Sequence, residues 1–154
     1  MTKKAFYAWA AATLCCMLVI FLFSSHEAGK SGEMSESLTL GLVGTFWRIF
    51  AQAGQEIPEQ LLAILELILR KTAHLFLFYV LALCVTNTIR QITENKKRIF
   101  WISLCWCSLY AAIDEVHQYF VPGRSAMWQD WLIDTIGVLL GIGTVFYVAR
   151  RKTK

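Results

Sequence analysis

The sequence predicts an all-α integral membrane protein: a four-helix bundle with a long extracytoplasmic segment containing one or two short amphipathic helices. Three observations carry that expectation. The 154 residues are 56% hydrophobic and only 17% charged, with a mean hydropathy of +0.49, too little polar surface to cover a water-soluble domain of this size. Four apolar stretches stand out and mark spans near 5–23, 72–89, 99–118 and 131–149, in a single membrane domain over 1–154. The basic residues sit asymmetrically around them.

The first stretch follows Lys3 and Lys4, carries no charge and ends at Ser24, Ser25 and His26. It is long for a signal peptide and lacks a small-x-small cleavage site, so it reads as a retained anchor. The segment 24–71 divides in two. Residues 24–37 are polar with Gly29 and Gly32 and read as loop. Residues 38–53 mix Leu, Val, Phe and Trp47 with little charge, the pattern of an interfacial amphipathic helix. Residues 54–57 form a break, and Pro58 followed by Glu59 suits the first turn of a new helix. Leu61, Leu62, Leu65, Ile68 and Leu69 then recur at helical spacing, so this helix is expected to run through Arg70 and Lys71 into the second span. The third apolar run, 99–113, is short, and its helix is expected to continue to Gln118.

In this layout ten of the 15 basic residues fall on one side: Lys3 and Lys4, then Arg90, Lys96, Lys97 and Arg98, then Arg150, Arg151, Lys152 and Lys154. Of the 11 acidic residues only Glu94 joins them. Both chain ends are therefore expected in the cytoplasm. The net charge of +4 reads as a topology signal; without an aromatic-interleaved basic patch it does not point to nucleic acid. The five cysteines, Cys15, Cys16, Cys84, Cys105 and Cys107, lie in apolar stretches and read as packing residues without zinc spacing.

The remaining polar groups gather on the opposite side. Lys71 and His74 share a face at the start of the second span. Asp114, His117 and Gln118 share one at the end of the third, with Glu115 beside them but pointing off that face. Arg124 lies in the short loop after Pro122-Gly123, and Asp130 and Asp134 open the fourth span, in line with Gly137 and Gly141. Singly, each has an ordinary explanation: Lys71 as a snorkelling flank residue, Asp130 as a helix cap, Arg124 as a partner of Asp114 or Asp130. Together, ionisable groups brought to one depth by three helices point to a site. Gly137-x-x-x-Gly141 would let a neighbouring helix approach closely.

Lys71, His74, Asp114, Glu115, His117, Gln118, Arg124, Asp130 and Asp134 are the candidate ligand-binding residues. His74, Asp114 and His117 are also candidate acid–base groups. No nucleophile motif accompanies them. His74, Asp114, His117, Asp130 and Asp134 are adequate metal ligands by type, but no His-x-x-x-His spacing supports a metal, and the pattern specifies no cofactor. Arg124, Lys71 and a protonated histidine suit phosphate or carboxylate.

Lys71-Thr72-Ala73-His74 followed by Tyr79, Asp114-Glu115-Val116-His117-Gln118, Val121-Pro122-Gly123-Arg124, the run 130–137 with Gly141, and Phe23-Ser24-Ser25 after the first span together resemble the VanZ family. The resemblance covers about half the chain, mainly 71–141. The Asp-Glu-x-His-Gln-x-x-x-Pro-Gly-Arg run is its most specific part. One departure is Asp134, where the family pattern often carries Asn. The resemblance implies a small bacterial cell-envelope membrane protein from a family whose founding member is linked to reduced susceptibility to teicoplanin, a phenotype and not a reaction.

The leading expectation is an outward-facing polar pocket that binds an amphipathic molecule: a membrane lipid, a lipid-linked cell-wall precursor or a lipoglycopeptide. Lys71 and Arg124 would hold its anionic group, His74, Asp114, His117 and Asp130 would orient it, and Tyr119, Phe120 and Trp128 would sit at the interface. The alternatives are an enzyme modifying such a molecule by His/Asp acid–base chemistry, metal-assisted or not, and a structural membrane subunit. Transport fits less well, since the charges stay near one face.

Overall fold

The computed structural model describes residues 3–25, 41, 58–122 and 127–151, and these contain four long helices and no strand. They are α1 (Lys3–Ser24), α2 (Glu59–Arg90), α3 (Lys96–Tyr119) and α4 (Trp128–Arg151). All four are long and apolar enough to cross a membrane. The expected amphipathic helix at 38–53, the break at 54–57 and the loop at 26–37 lie outside the described residues, apart from Gly41.

Each helix starts where its local chemistry allows. Pro58 precedes α2, Glu59 favours its positive N-terminus, and the amides of Leu61 and Leu62 bond to the Pro58 carbonyl. The helix continues unbroken through Arg70 and Lys71, as its periodicity predicts. Its 32 residues make about 48 Å at 1.5 Å per residue, well beyond the ~30 Å hydrocarbon core. Asn95 caps α3 through Oδ1, which accepts from the amides of Lys97 and Arg98 at 3.1 and 3.2 Å. As expected, α3 passes through Asp114 to Gln118 before ending at Tyr119.

The helices alternate in direction, and the contacts fix their neighbours. α2 and α4 share the largest interface; α1 packs on α2 and touches α3, and α3 packs on both α2 and α4. Gly137 and Gly141 explain the α2–α4 closeness. A Cβ on Gly137 would press into the Leu75 carbonyl, and one on Gly141 would meet the Tyr79 oxygen at 2.5 Å and the Ala82 Cβ at 2.8 Å. The predicted small-residue face of the fourth span is thus the one that meets α2. The core around this seam holds Phe78, Leu81, Ala82, Val85, Val138 and Ile142, joined by Cys107 and Ala111 from α3 and Ile20 from α1. Outward-facing positions such as Trp101, Trp106, Leu109, Ile136 and Leu140 are exposed, the surface of a bundle solvated by lipid.

Tyr110 donates its hydroxyl to the Met17 carbonyl at 2.7 Å, and the Trp131 indole donates to the Ser108 carbonyl at 3.1 Å. These bonds tie α3 to α1 and to α4. The five cysteines are free thiols; Cys16 and Cys84 face each other across α1 and α2 with sulfurs 3.9 Å apart. At one end of the bundle lie Lys3, Lys4, Arg90, Lys96, Lys97, Arg98, Arg150 and Arg151. At the other end lie the polar residues of the candidate site.

Candidate functional site

The polar end divides into two neighbouring arrangements that share Gln118. The first joins α1 to α3. Ser24, fully buried at the last residue of α1, donates to Asp114 Oδ2 at 2.8 Å. Gln118 Nε2 donates to the same oxygen at 2.8 Å and approaches Ser24 Oγ at 3.4 Å. The next hydroxyl, Ser25 Oγ, lies 3.0 Å from His117 Nε2, and the Phe21 ring covers the imidazole at a centroid distance of 4.7 Å. The i, i+3, i+4 face of α3 is therefore turned to the end of α1. Ser25 also donates to the Phe21 carbonyl at 2.6 Å. A hydroxyl has one proton, so in that geometry His117 is the donor to Ser25. The pair tethers α1 to α3.

The second arrangement is a pocket of about 170 Å³ between α2, α3 and α4. Arg70, Lys71 and His74 line it from α2, Glu115 and Gln118 from α3, and Asp130 and Asp134 from α4; Leu67, Met127 and Ile133 give it an apolar side. Lys71 Nζ forms an ion pair with Asp130, and both side chains are about one-third exposed, at 29% and 31%. Glu115, only 7% exposed, accepts the Met127 amide on Oε2 at 3.1 Å. A carboxylate there satisfies backbone at the start of α4, where the helix dipole favours negative charge. Asp134 is 1% exposed, and among the described residues neither of its carboxylate oxygens has a hydrogen-bond partner.

The structure sorts the sequence candidates accordingly. Lys71, His74, Glu115, Gln118, Asp130 and Asp134 meet in the pocket. Asp114 and His117 do not line it; they hold α1. Glu115, which points away from the Asp114 face, does so because it faces the pocket: adjacent helical residues diverge by about 100°, so one faces α1 and the other α4. Asp130 lies within the first turn of α4 and pairs with Lys71. Arg124 lies outside the described residues, as does His26. Arg70, Ser24 and Ser25 are additional members. The signal for the serines was two hydroxyls closing a span at the depth where Asp114, His117 and Gln118 needed partners. Among the described residues no group of three or more His, Cys, Asp or Glu is placed to hold a metal.

Four apolar helices, with a small charged pocket between three of them at one end, define a class of helical membrane protein with a polar site near one end of its bundle. Within that class the chain belongs to the VanZ/LLP1 family, whose model matches residues 9–150. No curated protein and no solved structure matches the chain.

Proposed function

We propose that the pocket between α2, α3 and α4 opens at the outer face of a bacterial cell membrane and holds the headgroup of an amphipathic molecule, a membrane lipid or a lipid-linked wall precursor. The observation that carries this reading is the pocket itself: charged side chains from three helices converge on a space with an apolar wall of Leu67, Met127 and Ile133. Such a wall suits the boundary between a headgroup and its chain. Charges within spans mark functional sites because they are costly to keep there. The outward orientation rests on the sequence, in which ten Lys and Arg residues fall on the opposite side of the four spans. Exposed Tyr119, Phe120 and Trp128 at the pocket end suit a membrane interface.

The size of the pocket narrows the ligand. About 170 Å³ is below the roughly 300–1,000 Å³ of sites that engulf drug-sized ligands. A small headgroup fits, while the rest of the amphiphile stays in the bilayer. A lipoglycopeptide would insert only one of its groups. Through such binding the protein would contribute to glycopeptide tolerance, the trait linked to the family's founding member.

A separate observation favours a structural role for the other arrangement. Asp114, His117 and Gln118 spend their hydrogen bonds on Ser24 and Ser25 and hold α1 in place. The test is organic extraction of protein purified in mild detergent. One amphiphile should co-purify with each wild-type chain and be lost from Lys71→Ala, which still inserts and folds. Equal retention by both proteins would reject the proposal.

A further inference from the structure

Asp134 is the group in the pocket that nothing yet accounts for. It is 1% exposed, lines the pocket one turn inward from Asp130, and among the described residues neither of its oxygens has a hydrogen-bond partner. A buried ionised carboxylate without a partner is strongly disfavoured, and a buried carboxylic acid with nowhere to donate, though much less costly, still forgoes its hydrogen bonds. Both oxygens want donors that the described protein does not provide. Asp130 and Lys71, by contrast, answer each other at the more exposed mouth.

We propose that the inner end of the pocket is a subsite for a primary ammonium group on the ligand, with Asp134 as its acceptor. This deepens the headgroup reading above and rests on it. An ammonium offers several N–H donors and a positive charge, so it satisfies both oxygens of Asp134 and neutralises the carboxylate at once. A hydroxyl would offer one donor and no charge. Arg70 and Lys71 lie in the more exposed part of the same pocket, so an anion would sit at the mouth with the ammonium below it. The ligand class is a headgroup that carries a phosphate close to a primary amine. The fourth helix presents this carboxylate at a fixed depth because Gly137, three residues further on, seats α4 against the Leu75 carbonyl of α2.

The experiment is native mass spectrometry of the full chain in nanodiscs with equal amounts of phosphatidylethanolamine, phosphatidylglycerol and phosphatidylcholine. Wild type should retain phosphatidylethanolamine about 10- to 100-fold over the other two, the value of one charge-assisted hydrogen-bonded contact. Phosphatidylcholine carries the charge but no N–H, so its exclusion isolates the donor requirement. Asp134→Asn keeps the shape and should erase the preference. Soluble phosphoethanolamine is added as a competitor. Displacement supports the subsite and assigns the affinity to the headgroup; failure to displace, with the lipid preference intact, supports the subsite and adds a contribution from the chain. Retention of all three lipids without preference would overturn the ammonium subsite and leave the headgroup reading standing. Retention of none would overturn both. The wild-type comparison decides even if the variant folds poorly.

Discussion

Replacing Gly137 by Ala should separate α2 from α4, and the consequence can be worked from the backbone. An added Cβ would sit 3.2 Å from the Leu75 carbonyl carbon and 3.3 Å from the Tyr79 nitrogen, with the Leu75 oxygen nearer still. All three are backbone atoms, so no side chain can rotate to relieve the contact. Overpacking of this kind costs about 1–3 kcal/mol. Alanine also favours the helix by up to ~1 kcal/mol over glycine, so the net loss falls between roughly 0 and 3 kcal/mol. Gly143 provides the control. It lies on the same helix, and a Cβ there would meet nothing within 4 Å. Gly143→Ala should therefore stabilise by up to ~1 kcal/mol. The two variants should differ by about 1–3 kcal/mol, roughly 5- to 150-fold in the folded-to-unfolded ratio. Reversible unfolding in mixed micelles measures that difference. Equal effects of the two substitutions would refute the close α2–α4 seam.

Three other predictions follow from the polar end. Asp114→Ala removes the acceptor of Ser24 Oγ and the shorter of the two contacts of Gln118 Nε2, a loss of about 1–3 kcal/mol for the stranded Ser24 hydroxyl; a double-mutant cycle with Ser24→Ala should show coupling, and additivity would contradict the tether. Lys71→Met breaks an ion pair that is about one-third exposed, so the unfolding free energy should barely change, by less than ~1 kcal/mol, while the co-purifying amphiphile is lost; a large destabilisation with the ligand retained would reverse the assignment. Glu115→Leu removes the acceptor of the Met127 amide and should speed hydrogen exchange at the start of α4, whereas Glu115→Gln, which keeps a carbonyl oxygen, should not; identical exchange in both variants would rule out the capping role.

Much of this architecture was legible in the chain. Hydropathy located four helices because lipid demands long uninterrupted apolar runs, and Pro58 with the leucine periodicity after it showed that α2 runs past the membrane edge. The alignment of Asp130, Asp134, Gly137 and Gly141 foretold a single face, and that face meets α2. The division of the polar cluster was less legible. Spacing along α3 places Asp114, His117 and Gln118 together and Glu115 apart, but it does not say which neighbour each face meets. That depends on α1 lying beside α3 at its end and α4 on its other side, a tertiary choice. Arg70 reads only as a position the helix runs through, and the pocket lining includes it. Ser24 and Ser25 read as the end of a span until their hydroxyls are seen to hold Asp114 and His117.

The central claim, that the pocket receives the headgroup of an amphiphile from the bilayer, is tested most directly by site-specific photocrosslinking in membranes. A photoreactive residue at Ile133, on the pocket wall, is compared with one at Leu109, exposed on the outer surface of α3. The account predicts that Ile133 captures one amphiphile selectively and saturably, and that Lys71→Ala abolishes the capture, while Leu109 labels bulk lipid in proportion to its abundance. The same unselective lipid mixture at both positions, unchanged by Lys71→Ala, would contradict it.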